Sequence, residues 1–497
     1  MRASGILMPV FSLPSRYGIG SFSKSAYQFV DMLKKAGQKY WQILPLCPTS
    51  YGDSPYQSFS TYAGNPYFID LDQLIEEKLL TRKECQTCDF GDDPQDIDYG
   101  KLYENRFKLL RKAYERANVG EDQEFEAYRR ENAWWLDDYA LFMAVKDRFD
   151  GVAWNEWEED IRLRWSNAMD YYRRELYYEI EFYSYLQFVF MKQWKKLKNY
   201  ANINGIEIIG DIPIYVAFDS ADAWANPELF QFDAENLPTA VAGCPPDGFS
   251  ADGQLWGNPL YRWDYHRETG FDWWIRRIAY CSELYDVVRI DHFRGFDEYY
   301  SIPYGDTTAR NGHWEKGPGI ALFEAAKNRL GELNIIAEDL GYITDSVKKL
   351  VADSGFPGMK VLEFAFDSRE KSDYLPYTYE KNSVVYTGTH DNETIAGWYA
   401  GLDKSDLKMC TDYMNIDRIP GKEYHWDFIR LAMLSVSDLC VIPIQDYLGL
   451  DNRARINHPS TLGTNWRWRL AKGQLSASLL KEIREMTRIS GRLQNGE

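Results

Sequence analysis

A chain of 497 residues, 45% of them hydrophobic, can bury a large core, either as one decorated domain or as two or three. Its 75 acidic residues against 57 basic ones give a formal charge of −18, which repels phosphate backbones and acidic polymers and leaves a neutral substrate open. Seven cysteines in so long a chain do not make a disulfide framework, and no stretch approaches the roughly 18 apolar residues of a membrane span. The Cys85–Cys88 pair has no second CxxC beside it, and the opening MRASGILMPVFSLP carries only a short, proline-broken apolar run. A cytoplasmic, reduced setting with no nucleic-acid or membrane partner is therefore expected.

Eight apolar runs read as strands, at 5–10, 40–46, 206–216, 286–293, 334–340, 358–366, 383–391 and 438–448. Most are continuous rather than alternating, as parallel strands buried on both faces require. Helical spacing separates them. Ala26, Phe29, Val30 and Leu33 share one face before a stop at Gly37, and Phe182, Leu186, Val189, Phe190, Trp194 and Leu197 mark a long helix ending near Gly205. Further helices are expected at 271–284, 318–331, 343–353 and 426–437. About 160 residues lie between the second and third strands, far more than one crossover needs. Within them, 71–180 reads as an inserted helical subdomain, while the Pro-, Gly- and Trp-rich 221–264 reads as an inserted loop subdomain after strand three. About 50 residues follow the eighth strand, too few for a C-terminal β-sandwich. The expectation is a single α/β domain over 1–497: a (β/α)₈ TIM barrel with mainly helical insertions at its C-terminal mouth. A doubly wound sheet is the structural rival, but no GxGxxG follows the first strand.

Three of these runs end on a carboxylate: DVVRIDHFRGF (286–296), NIIAEDLG (334–341) and SVVYTGTHDNET (383–394). On strands four, five and seven of a barrel, Asp291, Glu338 and Asp391 would converge on one mouth. Few histidines and three convergent acids suit chemistry on a sugar bond. Retaining glycosidic cleavage needs an ionised nucleophile and a protonated acid. Arg289 lies two residues before Asp291 on the same strand face, so it is expected to lower the aspartate's pKa. Glu338 follows an apolar run and precedes anionic Asp339, so a raised pKa and the acid role are expected. Asp391, beside His390, would support the transition state. Each segment has a purely structural reading: an Asp291–Arg294 pair, a helix cap at Glu338, a turn at Asp391. All three at corresponding strand ends outweigh it. Asp291, His292, Glu338 and His390 are also possible metal donors, but no HExxH or HxH spacing occurs, and neither metal nor cofactor is expected. Asp211, ending strand three in GDIPIY, would either bind a sugar hydroxyl or buttress the loop. Trp256 stands in GQLWGNP, hard to place in a core. Aromatic residues reach 16%, useful equally for stacking on sugar rings and for packing.

Taken together, SPYQSFSTYAGNPYFIDL (54–71), IIGDIPIYVA (208–217), GQLWGNPLYRW (253–263), VRIDHFRGF (288–296), AEDLG, GMKVLEFAFD (358–367), TGTHDNET and NWRWRL (465–470) resemble the amylomaltases, or 4-α-glucanotransferases. This family includes the plant disproportionating enzymes and belongs to the α-amylase clan. The resemblance runs from about residue 5 to 470. It implies a cytosolic transferase that cleaves an α-1,4 bond in a malto-oligosaccharide, holds the glucanosyl unit covalently, and passes it to the 4-hydroxyl of another glucan or of glucose. Starch- or glycogen-derived glucans are the implied substrates; a retaining hydrolase with the same acids is the alternative. By position, Asp291 is implied as nucleophile, Glu338 as acid/base and Asp391 as transition-state stabiliser. Asp211, Arg289 and His390 fall on residues lining the attacked sugar's subsite, and Tyr56 and Trp256 on aromatic positions along the glucan. Asp367 is a weaker correspondence, and Tyr51 resembles a position of a second glucan site. Two departures stand out. In the loop VAGCPPDGFSADGQ (241–254), Cys244 and Gly248 replace a common Val and Tyr, which bears on acceptor choice. Glu393 replaces a frequent Asp.

Overall fold

Residues 2–50, 52–246, 250–341, 343–417 and 423–494 are described by the structure, a computed structural model. In chain order the strands are β1 (Ala3–Leu7), β2 (Tyr40–Gln42), β3 (Glu207–Pro213), β4 (Ala240–Cys244), β5 (Gln254–Pro259), β6 (Val287–Asp291), β7 (Glu298–Pro303), β8 (His313–Lys316), β9 (Ile335–Ala337), β10 (Gly358–Val361), β11 (Ser383–Tyr386) and β12 (Leu439–Pro443). Eight of them, β1-β2-β3-β6-β9-β10-β11-β12, pair in parallel and close into a barrel. These are the eight expected runs in the expected order. Each observed strand stops short of its run's C-terminal end, because there the chain leaves the ladder to present side chains at the mouth.

Alternation along each strand builds two cores at once. Leu7, Ile209, Ile336, Met359, Val361, Val384, Tyr386 and Val441 fill the barrel interior. Ile6, Trp41, Ile208, Val288, Ile290, Val385 and Ile442 face outward into the larger core shared with the helices. Both faces are thus buried, which is why the runs read as continuous rather than alternating. Backbones approach closely: at Gly210 of β3 an added Cβ would lie 2.1 Å from the Tyr285 ring, so only glycine fits.

The helices fall where the 3.6-residue periodicity puts them. Lys24–Lys35 ends before Gly37, whose φ of 67° is the left-handed turn expected there. Asp272–Leu284, Ile320–Leu330, Asp345–Ser354 and His425–Leu434 are the barrel helices expected downstream. Between β2 and β3 the insertion is helical, dominated by Tyr99–Ala117, Gln123–Arg148 and Tyr177–Ile203. The last of these runs through position 180 and packs along both Gln123–Arg148 and β3, serving insertion and barrel alike. The segment after β3 contains more order than a loop. Its β4 and β5 join β7 and β8 in an antiparallel sheet of order β5-β4-β7-β8. The strand signal of AVAGC is weak alone; pairing with EYYSIP, from beyond the fourth barrel strand, recruits it. No helix among the described residues is long and apolar enough to cross a membrane.

Candidate active site

The barrel's polar layer begins on two neighbouring strands. Asp211 of β3 is paired in register with Arg289 of β6, and both point inward above the apolar layer of Ile209. The Arg289 Nη1 group donates to both Asp211 carboxylate oxygens, at 2.8 and 2.7 Å, and to Asp291 Oδ1 at 3.1 Å. The Tyr56 hydroxyl completes the cluster, donating to Asp211 Oδ2 at 2.8 Å. Asp211 has no exposed surface, and it faces the mouth through these two partners.

Asp291 and Glu338 end adjacent strands. Ile290 of β6 pairs with Ala337 of β9, so the two acids follow side by side and share the inward face of Arg289 and Ile336. Glu338 is held from the backbone: His292 N–H donates to Oε2 at 2.6 Å and Leu340 N–H to Oε1 at 2.8 Å. The first bond exists because His292, a non-glycine residue, adopts the left-handed conformation at φ 55° and turns its N–H toward the acid. Such a backbone costs about 1–2 kcal/mol, a strain placed at the mouth itself.

Burial raises the Asp291 pKa to about 6, helped by the charges of Asp211 and Asp391 and opposed by Arg289 and His390. This corrects the sequence expectation of a lowered value. Arg289 is where it should be and acts in the expected sense, but its charge is shared with Asp211. Burial also raises Glu338, to about 7, and the Asp291 carboxylate is the next contributor. The neighbour that matters is thus Asp291 across the strand pair. Asp339 instead accepts from Met359 N–H at 2.7 Å, beside β10.

Asp391 lies in the turn after β11. Asn457 donates to its Oδ1 at 2.6 Å, and His390 Nε2 lies 3.3 Å from its Oδ2. Burial opposes its charge, yet His390 and Asn457 together hold its pKa well below the ordinary carboxylate range, while Asp391 raises that of His390. The ring of His390 stacks on Tyr56, centroids 5.1 Å apart at 13°, with Trp466 tilted against both. Trp256 stands on β5 rather than in a flexible loop and packs edge-on against His292 at 4.8 Å. Tyr56, Asp211, Arg289, Asp291 and His390 therefore meet in one cluster with Glu338 and Asp391, and Trp256 reaches it through His292. Asp367 does not join them. It pairs with Arg369 on the loop after β10, with Oδ2 2.6 Å from the guanidinium. Tyr51 and Gly248 lie outside the described residues.

Three contributors went unread in the sequence. Asn457, with Arg455 donating to the Asp391 carbonyl at 2.8 Å, comes from the segment after β12. No motif spacing links positions 457 and 391. Trp466 belongs to the NWRWRL motif, whose signal was present although its place in the site was not. Among the described residues, no group of three or more His, Cys, Asp or Glu side chains is arranged to hold a metal ion.

Comparison with known proteins agrees over nearly the whole chain. A 4-alpha-glucanotransferase from Clostridium butyricum is 49% identical over 487 residues, covering 98% of this chain and all of the relative. One from Streptococcus pneumoniae is 49% identical over 498 residues, covering 99% and 98%. An amylomaltase from Streptococcus agalactiae, solved in complex with acarbose, superposes with a TM-score of 0.96 at 44% identity, covering 99% of this chain and all of that one. The family model described as 4-alpha-glucanotransferase matches residues 8–475. A closed parallel barrel, an acid cluster at its mouth and similarity over nearly the whole chain lead to one conclusion: the chain belongs to the 4-α-glucanotransferase family.

Proposed function

We propose that this enzyme is a retaining 4-α-glucanotransferase acting on malto-oligosaccharides by double displacement. The Asp291 carboxylate attacks the anomeric carbon of the donor glucan while Glu338 gives its proton to the departing glycosidic oxygen, releasing the reducing-end fragment. A 4-hydroxyl of a second glucan, or of glucose, then attacks the glycosyl-aspartate. Glu338 takes the hydroxyl's proton and Asp291 leaves as carboxylate, so the α-configuration and the proton balance are both restored. Asp391 and His390 hydrogen-bond the sugar hydroxyls, Tyr56 and Trp256 offer ring faces to the chain, and Arg289, backed by Asp211, orients Asp291. The proposal extends to a cytoplasmic setting, with Asp367 kept only as a weaker substrate-binding candidate because its carboxylate is taken up by Arg369; all seven cysteines are free thiols.

The observation that carries this reading is the pairing of Asp291 and Glu338 on neighbouring strand ends. Carboxylates projecting from adjacent parallel strands sit at about the inter-strand spacing, ~5 Å, which matches the separation that retention needs. Family membership favours transfer over hydrolysis. Incubation with maltotriose separates the two: a ladder of longer oligomers with free glucose is expected, whereas glucose and maltose alone would mean that water is the acceptor.

A further inference from the structure

The turn that carries His390 and Asp391 leaves the barrel at the end of β11 and enters the short helix Ile395–Gly401. In the barrel β11 lies between β10 and β12, and the segment after each neighbour sends one buried carboxyl against the turn. Asp446, on the short helix Ile444–Tyr447 after β12, accepts from the Thr387 hydroxyl on Oδ2 at 2.5 Å and from Ile395 N–H on Oδ1 at 2.8 Å. Both ends of the turn are thus tied to one side chain. Glu363, on the single turn Leu362–Phe364 after β10, meets it from the other side. Its N–H donates to the Thr387 carbonyl at 3.2 Å. Its carboxyl fills the space a side chain would need at Gly388, where an added Cβ would lie 2.6 Å from Oε1. Neither acid has a part in the double displacement.

Two carboxyls buried near each other do not both ionise without cost, and their hydrogen-bond partners decide which one does. Asp446 has a donor on each oxygen, so the charge is best held there, although burial raises its pKa to about 6. Glu363 Oε1 is buried with no hydrogen-bond partner. Burial, then the charges of Asp446 and Glu393, push the Glu363 pKa well above the ordinary carboxylate range, against Arg455 and the Glu393 N–H. Glu363 is therefore the neutral acid of the two. A further anion so close to the turn would oppose the charge on Asp391, whereas a neutral carboxyl supplies shape without that cost.

We propose that Glu363 is a positioning residue for the reaction: wedged against Gly388, with Asp446 opposite, it sets where the turn presents His390 and Asp391 to the sugar. Glu363 acts through the turn and not on the substrate, and its role rests on the one proposed for Asp391. Support of an oxocarbenium-like transition state depends steeply on where the supporting carboxylate stands, while binding of the ground-state glucan is spread over many contacts. Displacing the turn therefore lowers kcat more than it raises KM.

Glu363→Ala should lower kcat on maltotriose roughly 10- to 100-fold with KM changed by no more than about 2-fold. Glu363→Gln, neutral and of the same shape, should stay within about 3-fold of wild type. With α-maltosyl fluoride, whose leaving group needs little help from an acid, the alanine variant should show the same loss, since the fault lies at Asp391 and not at Glu338. Gly388→Ala presses on the same contact from the turn and keeps Glu363, so it decides the case even where Glu363→Ala fails to fold; it should reproduce the fall in kcat. Wild-type kcat in either alanine variant overturns the proposal. So does a glutamine variant as impaired as alanine, a loss confined to KM, or a loss seen on maltotriose but not on the fluoride. A wild-type enzyme that makes no ladder from maltotriose would instead overturn the transferase reading, and the fluoride comparison would still decide the role of Glu363.

Discussion

Arg289 sets the electrostatics of the mouth from within the barrel, and its effect on Asp291 is smaller than a bare pair would give. Its guanidinium serves Asp211 and Asp291 together, so burial and the surrounding carboxylates prevail. The consequence is a pair of acids with raised but ordered pKa values, about 6 for Asp291 and about 7 for Glu338. Catalysis needs the first deprotonated and the second protonated. As pH rises through the lower value the nucleophile ionises and activity climbs; through the upper value the acid is lost and activity falls. The kcat/KM profile on maltotriose should therefore be a narrow bell with its maximum between these values. The two limbs belong to the coupled pair rather than to either residue alone.

At the level of elements, the site depends on a segment remote in sequence. Residues 452–457, after β12, fold back over the turn that carries Asp391. Arg455 and Asn457 bind its backbone and side chain, and Asn457 N–H donates to the His390 carbonyl at 3.1 Å. Hydrogen bonds to a buried charge are worth about 1.5–3 kcal/mol, and this one also fixes the turn's orientation. Asn457→Ala should lower kcat/KM by roughly 10- to 100-fold while lowering Tm by no more than about 1–3 °C. Steady-state kinetics beside a melting curve distinguishes that outcome from general destabilisation. The small antiparallel sheet has a comparable role, since β5 carries Trp256 to the ring of His292, whose backbone grips Glu338.

For the whole molecule, the mouth is a place where function costs stability. A carboxylate whose folded pKa is raised binds more protons folded than unfolded. It therefore draws stability down as pH rises from its ordinary value near 4 through about 6, and the loss persists above. Asp291→Asn removes that charge yet leaves Oδ1 to accept from Arg289. It should abolish turnover, on the order of 10⁴-fold or more for a lost nucleophile, while raising Tm at pH 8 by about 1–3 °C. The gain should vanish near pH 4, where the wild-type carboxyl is itself protonated; calorimetry at the two pH values measures it. A variant less stable than wild type at pH 8 would show that Asp291 is held by its partners more strongly than its surroundings oppose it.

How much of this was legible follows from the range of the forces involved. The eight strands, their order and the inward projection of Arg289 and Asp291 come from local periodicity, a property of consecutive residues, and could be read directly. The acids themselves were visible because a buried strand tolerates a carboxylate only where it ends. Asn457 on Asp391, Asp211 taking up half of Arg289, the pairing that turns 240–244 into a strand, and the absence of Asp367 from the cluster all depend on residues brought together by closure of the barrel. The same closure decides the pKa values, since burial and the summed field of four carboxylates have no counterpart in a linear chain. The chain's own pattern thus determined the scaffold and named the acids; only the folded molecule decided how those acids share their charges and what holds them.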